Sequence, residues 1–290
     1  MNNWHIGVLG GSGLYAIDAL KDPRWITVNT PWGAPSDQVL TGTVAGVRFA
    51  FLPRHGRGHA IGPTQLNARA NIDALKRIGC TDLLALSAVG SLREALPPGR
   101  FVVVDQFIDW TRGRAGSFFG EGVVAHVSMA DPVCPRLAGL AARAATRAGA
   151  PVTEGGTYIA IEGPQFSSRA ESRLYRTWGA DVIGMTAMPE ARLAREAELP
   201  YALVGMVTDY DCWRDDAAHV EVDDVLRVMR ANADTARRLV VELAQALPPD
   251  RAPSAIDTCL DAAIVTPPGA RDPALLAKLD AVAGRVLTAQ

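Results

Sequence analysis

Lysine is almost missing from this 290-residue chain. Lys21, Lys76 and Lys278 are the only three among 29 basic residues, and arginine supplies the rest. That bias reads as coding preference, although each Arg is a better fork for an oxyanion than a Lys. Net charge is nearly absent too. The 29 basic and 31 acidic side chains leave −2, so no global field favours wrapping a polyanion, and nucleic-acid binding is not expected as the main task. Cysteine is sparse: Cys80, Cys134, Cys212 and Cys259 show no CxxC or CxxH spacing, which argues against a zinc knuckle and for reduced thiols. No apolar run approaches the ~18 residues of a membrane span without a charge or a breaker. The opening Met-Asn-Asn-Trp-His lacks a basic n-region and an apolar h-region. A cytoplasmic protein with no membrane contact is therefore expected. Repeats and low-complexity tracts are missing as well. What is present, 48% apolar and 21% charged residues, is the composition of a folded globular chain.

Apolar runs recur with helical stretches between them. Ile6–Leu9 reads as a buried strand, Val44–Leu52 as a hairpin partner or edge around Gly46, and Leu66–Ile78 as a helix ending before Gly79. Leu83–Leu86, Phe101–Val104, Tyr158–Ile161, Val182–Ile183 and Ala202–Val207 predict further strands. Pro135–Ala148, Arg169–Trp178, Pro189–Ala197 and Val222–Leu247 predict helices. The alternation predicts one α/β domain over residues 1–247, with a central mixed sheet flanked by helices. Pro248–Ser254, with three prolines, reads as a linker into a C-terminal extension over 248–290 that includes a helix Pro273–Leu287.

Four stretches carry chemistry. Gly10-Gly11-Ser12-Gly13 ends the first strand, where glycine N–H groups and the Ser12 hydroxyl can meet an anion; the plainer reading is a tight turn. A dinucleotide reading of this loop needs an acid ending the second strand, and the stretch Ile26–Thr30 offers only Asn29 and Thr30. Pro53-Arg54-His55-Gly56-Arg57-Gly58-His59 is a cationic loop suited to an oxyanion, Arg54 and Arg57 being the forks. A metal on His55 and His59 would need a helix that the intervening glycines disfavour, so no metal is expected.

In Glu162-Gly163-Pro164-Gln165-Phe166-Ser167-Ser168-Arg169-Ala170-Glu171, Ser168 and Glu171 form a capping box. The loop before it places Phe166 where it can stack on a planar ring. Gly184-Met185-Thr186 ends a strand, the usual ligand edge of an open sheet. Thr208-Asp209-Tyr210-Asp211-Cys212-Trp213 puts two carboxylates directly after the strand Ala202–Val207. Solvated loop acids are the commoner meaning of such a pair, and a nitrogen heterocycle is the other candidate.

Taken in order, these motifs closely resemble the trimeric purine nucleoside phosphorylase family, and within it the branch acting on 5′-methylthioadenosine. Asn71-Ile72, Gly90-Ser91-Leu92-Arg93-Glu94, Asp105-Gln106-Phe107-Ile108-Asp109 and Arg176-Thr177-Trp178-Gly179-Ala180-Asp181 extend the match from about Ile6 to Leu247. The resemblance implies reversible phosphorolysis of 5′-methylthioadenosine to adenine and 5-methylthioribose 1-phosphate, in methionine and purine salvage. Inorganic phosphate is then a co-substrate, and no cofactor is needed. Ser12, Arg54, His55, Ser87, Ala88 and Thr186 would surround phosphate. Met185 would pack under the ribose and Phe166 against the purine. Asp209 and Asp211 would face N7 and the 6-amino group and carry the catalysis.

Ser167, Val222, Val225 and Leu226 would tune nucleoside choice, and His126 would reach the 5′ pocket of a neighbouring subunit in a homotrimer. Packing into the core is the plainer account of the valine–leucine stripe. Two positions depart from the family: Ser12 stands where Thr is common, and Gly184 where Asn is frequent. A carboxylate at 209 suits a 6-aminopurine, because a 6-oxo group would face an unmatched acceptor. Asp209 is expected to lie desolvated under Phe166 and to hold its proton more tightly than a free carboxyl. The alternatives are a 6-oxopurine or methylthioinosine phosphorylase, and, further off, a non-catalytic nucleotide-binding or NAD-dependent protein.

Overall fold

Apolar residues run unbroken along the central strands because both faces of the sheet are covered. The computed structural model describes residues 4–11, 13, 17–214 and 222–287, with 222–226 described as backbone only. In chain order the strands are β1 (His5–Gly10), β2 (Lys21–Ile26), β3 (Val39–Val44), β4 (Val47–Pro53), β5 (Asp82–Ser91), β6 (Phe101–Val103), β7 (Gln106–Trp110), β8 (Val152–Glu154), β9 (Thr157–Ile161), β10 (Val182–Gly184) and β11 (Tyr201–Tyr210). The helices are α1 (Ala68–Arg77), α2 (Pro135–Arg147), α3 (Arg169–Thr177), α4 (Ala187–Glu196), α5 (Val222–Ala246), α6 (Pro273–Lys278) and α7 (Asp280–Leu287).

Side chains alternate along each strand. Leu83 and Ala85 of β5 pack with Ile72 and Leu75 of α1 and with Ala191 and Leu193 of α4. Leu84 and Leu86 point the other way, into Leu140 and Ala144 of α2 and Leu239 and Leu243 of α5. The result is a mixed α/β sandwich with strand order β2-β3-β4-β1-β5-β10-β9-β7, while β11, β6 and β8 branch from β5. The expected single domain with a flanked mixed sheet is what the chain forms. The hairpin anticipated around Gly46 joins β3 to β4 through Ala45 and Gly46, both at positive φ (49° and 80°), as a two-residue turn matched to strand twist requires.

Three readings change. The second strand lies at Lys21–Ile26, not Ile26–Thr30, and pairs antiparallel with β3 at the sheet edge. It contains Asp22, so the missing acid no longer decides the dinucleotide question. Topology decides it instead: β1 is flanked in parallel by β4 and β5 and never by β2, so the βαβ unit that cradles a dinucleotide is not formed. Next, β11 runs past Val207 through Asp209 to Tyr210, with a bulge between Val207 and Asp209. Finally, the helix expected over Pro273–Leu287 is two short helices that meet at Leu279.

The segment after Leu247 packs onto the same core. Leu260, Leu279, Val282 and Ala283 are buried in the cluster of α1 and α4. Arg251 reaches Asp82 at 2.5 Å and Asp257, Arg285 reaches Glu198 at 2.5 Å, and Arg77 clasps Asp73 and Asp280. No helix among the described residues is long and apolar enough to cross a membrane.

Glu196, the last residue of α4, ties down the connection after β7. Its carboxylate accepts from Ser117 Oγ and from the Phe118 N–H, both at 2.7 Å. Burial pushes its pKa up from 4.5 to about 7, against the pull of those two donors. A carboxyl held above its unfolded value stabilises the fold fully below about pH 4.5, and that contribution is lost as pH rises through 7. Between pH 5 and pH 8 the loss amounts to about 2–3 kcal/mol. Urea unfolding at the two pH values should show Glu196→Gln losing less stability than the wild type by about that amount. Equal losses would mean that Glu196 does not titrate in this window.

Candidate active site

The cleft begins as a gap in the sheet. On one edge β5 pairs with β11 along its length, from Leu83 to Ser91. On the other edge β1 covers Asp82–Ala85 in parallel, and β10 covers Gly90–Ser91 antiparallel. Between them, 86–89 has no strand beside it among the described residues. Ala88 is consequently exposed in the middle of an otherwise buried strand. Ala88 and Gly90 share one face of β5, and Ser87 just before them faces the side of α4; the predicted residues border this stretch from both faces.

At the gap itself lies Arg54, at the end of β4. Its Nε and Nη2 grip Glu190 of α4 at 2.8 and 3.1 Å, Nη1 donates to Leu86 O at 3.2 Å, and Nη2 donates to Leu9 O at 3.1 Å. Burial works against the charge, but the Glu190 carboxylate outweighs it and holds the guanidinium ionised. One Nη1 hydrogen stays uncommitted among the described residues. Ser87 and Thr186 meet beside this pair, their hydroxyls 3.4 Å apart, with Thr186 leading into α4, whose helical backbone is interrupted at Met188 (φ −116°, ψ 135°). Ser12 lies outside the described residues.

His55 Nδ1 lies 2.8 Å from the Ile61 carbonyl, which only accepts, so Nδ1 carries the proton. Burial, with Arg54 and His59 adding to it, lowers the ring pKa to about 4. At neutral pH, Nε2 is thus a lone-pair acceptor. His59 stacks on His55 with centroids 4.3 Å apart, and no group of three or more metal-ligating side chains occurs among the described residues. Arg57, read as a second fork, is engaged elsewhere: it pairs with Asp37 at 2.9 Å and lies over the Trp25 ring.

The acids sit at the other end, where the bulge near Thr208 re-aims β11. Asp209 lies opposite Gly90 and accepts from Thr208 Oγ1 at 2.6 Å. Burial raises its pKa and the negative charge of Asp211 adds to the rise; burial also raises that of Asp211. Asp211 Oδ2 is buried without a well-formed hydrogen bond among the described residues, although Ser172 lies close enough to temper the rise of its pKa. Buried polar atoms are seldom left so, and this one marks a place for a ligand's donors. Cys212 Sγ donates to Ser167 O at 3.1 Å, tying the two loops together.

The purine-facing expectation needs one amendment. Phe166 is 87% exposed and does not lie over Asp209, so the protein interior, not that ring, desolvates the acid. Met185 is half-buried and touches the loop that carries Phe166: a Cβ on Gly163 would come 2.5 Å from its Sδ. Val222, Val225 and Leu226 begin α5, and their side chains lie outside the described residues. His126 is exposed on the connection between β7 and α2, held by its N–H to Ala263 O, and no recorded contact brings it to the cleft.

Sequence reasoning missed the residues that hold this cleft from behind. Arg114 donates from Nη1 to the Met185 and Met188 carbonyls, from Nη2 to the Ile161 and Glu162 carbonyls, and from Nε to the Glu162 carboxylate. Tyr201 Oη donates to Glu190 at 2.8 Å. Tyr158, wholly buried, places its hydroxyl where a Cβ on Gly184 would stand, 3.4 Å from the Thr186 N–H. The departure at 184 thus has a physical partner across the β9–β10 pair. No local signal marks any of these contacts, because each joins residues far apart in the chain.

Comparison with known proteins bears on this arrangement. The family model described as the phosphorylase superfamily matches residues 5–245. The S-methyl-5′-thioadenosine phosphorylase of Cereibacter sphaeroides is 59% identical over 284 residues, covering 97% of this chain and 98% of its own. That of Synechocystis is 46% identical over 288 residues, covering 98% of this chain and 88% of its own. Among solved structures, a methylthioadenosine phosphorylase from an antarctic soil metagenomic library superposes with a TM-score of 0.92 at 44% identity, over 97% of this chain and 99% of the other. A mutant of the Schistosoma mansoni adenosine/methylthioadenosine phosphorylase, in complex with methylthioadenosine, gives 0.78 at 39% identity, over 83% and 91%.

The Gly184–Tyr158 contact makes a prediction independent of activity. Gly184→Ala should destabilise the fold by about 1–3 kcal/mol through overpacking against the phenol. The same change in a Tyr158→Leu background should cost less by at least about 1 kcal/mol. Chemical denaturation of the four proteins measures this, and additive effects would show that the two side chains do not compete for one space.

Proposed function

The chain belongs to the phosphorylase superfamily and, within it, to the S-methyl-5′-thioadenosine phosphorylases, and on that premise we propose how its cleft performs reversible phosphorolysis of 5′-methylthioadenosine. The enzyme is a pentosyltransferase: phosphate displaces adenine from C1′ and 5-methylthioribose 1-phosphate results. The observation that carries the site assignment is the separation of two unlike groups along the open stretch of β5. Ser87, Thr186 and the Arg54–Glu190 pair form one, and Asp209 and Asp211 the other. Ala88 and Gly90 lie about 7 Å apart along the strand, a distance one pentose can bridge.

Breaking C1′–N9 leaves an oxocarbenium-like ribose and sends the bonding electron pair into the purine. A phosphate oxygen held by Ser12, Arg54, His55, Ser87, Ala88 and Thr186 would approach C1′ and form the new bond. His55, with Nδ1–H committed to Ile61, would accept a P–OH proton at Nε2. Met185 would line the ribose and Phe166 the base. Asp209, its pKa raised by burial, would deliver a proton to N7 as the purine leaves. The buried Oδ2 of Asp211 would accept from the 6-amino group. No cofactor enters this scheme, and phosphate is its only co-substrate. Ser167 and the stripe Val222, Val225 and Leu226 would shape the 5′ end.

A cytoplasmic location fits the free cysteines. A homotrimer, in which His126 reaches a neighbouring 5′ pocket, fits the exposed aromatic surface of Trp110, Trp178 and Phe166 beside the cleft. Analytical ultracentrifugation should give three times the chain mass, and Trp178→Glu should shift it toward the monomer.

Adenine release from methylthioadenosine, with and without phosphate, tests the reading, with methylthioinosine as the 6-oxo control. Asp209→Asn should lower turnover of the 6-amino substrate by about 10²-fold or more and remove the high-pH limb of its rate profile. Near-normal turnover in that variant would sink the assignment of the acid, and preferential hypoxanthine release would move the enzyme to the 6-oxopurine class.

A further inference from the structure

Among buried charges, the Arg54–Glu190 pair is the one that the reaction above leaves half explained. Arg54 has five N–H donors, and four bonds are already made, two of them to Glu190. Both side chains are almost wholly buried, at 2% and 5% exposure. A guanidinium buried alone is strongly unfavourable, so Glu190 is a condition for Arg54 being there. Pairing also nearly cancels the charge that phosphate would meet. The guanidinium therefore acts as a directional donor more than as a free cation.

We propose that Glu190, steered by Tyr201, is a positioning residue for the phosphate subsite, fixing Arg54 so that its one uncommitted Nη1 hydrogen faces the bound anion. The proposal rests on the phosphorylase reading of the cleft. Nη1 is pinned at the Leu86 carbonyl, one residue before Ser87, and so at the unpaired stretch of β5. Two bonds to one carboxylate set the plane of the guanidinium. The carboxylate is set in turn by Tyr201 Oη, which donates to Oε1 at 2.8 Å from the first residue of β11. Burial and the nearby Glu190 charge raise the Tyr201 phenol well above its ordinary range, so it keeps the proton it donates. Glu190 lies four residues beyond Thr186, past a break in the helical backbone at Met188, so one short segment carries both a direct phosphate group and the support of another.

The chain of contacts makes opposed predictions possible. If Glu190 positions Arg54, weakening it loosens phosphate; if it competes with phosphate for Arg54, removing its charge tightens phosphate. The experiment is steady-state adenine release by the full-length wild type, Tyr201→Phe and Glu190→Gln, varying phosphate at saturating methylthioadenosine and the reverse. Thermal unfolding checks that each variant is folded. Tyr201→Phe should raise the phosphate KM about three- to tenfold, the scale of one hydrogen bond. Glu190→Gln, which sets an amide N–H against an Arg54 N–H, should raise it about a hundredfold. The nucleoside KM should move by no more than about twofold in either, a split that general loosening of the fold would not produce.

A phosphate KM lowered in Glu190→Gln overturns the proposal in favour of competition. An unmoved phosphate KM in folded Tyr201→Phe, or a nucleoside KM rising in step, overturns it in favour of a purely structural pair. Should Glu190→Gln fail to fold, Tyr201→Phe decides on the same terms. Wild-type adenine release that ignores phosphate would overturn the phosphorylase reading itself, and this proposal with it.

Discussion

β5 cannot be paired along both edges for its whole length, and the cleft follows from that constraint. β11 accompanies it throughout, but the other edge passes from β1, which runs parallel, to β10, which runs antiparallel. Two neighbours of opposite direction cannot merge into one ladder, so on that edge four residues of a central strand have no strand beside them among the described residues. Backbone there needs other partners. Arg54 supplies one by donating to Leu86 O, and its own burial then demands Glu190. The gap thus generates both the opening, at Ala88, and the charged pair that floors it.

Charge in this molecule is arranged pair by pair, as a sum of −2 allows. Asp82 holds Arg136 and Arg251, Glu198 holds Arg285, and Arg77 spans Asp73 and Asp280. Arg77, Arg251 and Arg285 tie the segment beyond Leu247 to the domain, and each uses the planar fork that a lysine lacks. Where a carboxylate must be gripped by two or more N–H groups of one planar group, arginine is what the geometry requires. The cleft acids are the contrast. Among the described residues no ion pair holds Asp209 or Asp211, and burial raises both.

Much of this could be read from residues in order. Strands with both faces apolar and the hairpin at Gly46 announce the sandwich, and Arg54, Thr186 and Asp209, from three of the motifs, border β5. Such residues are legible because each motif is local, a few neighbouring positions in the chain. What escaped was pairing at a distance. The bulge at Thr208 leaves no mark in a run of apolar residues, yet it decides where Asp209 points. Asp22 was overlooked because β2 is an exposed edge strand with Lys, Asp, Pro and Arg in its first four positions, a pattern that reads as loop. Composition makes Arg57 a fork, and only space reveals Asp37 beside it. Gly184 departs from the family pattern, and the Tyr158 hydroxyl occupies its side-chain position.

Arg114 spends its donors on four carbonyls and one carboxylate, drawn from the end of β9, the Glu162 loop and the turn into α4. Mechanically it is a rivet through three segments of backbone. The loop that presents Phe166 and the turn that presents Met185 and Thr186 are fastened to the same bolt, so the two walls of chain keep one spacing.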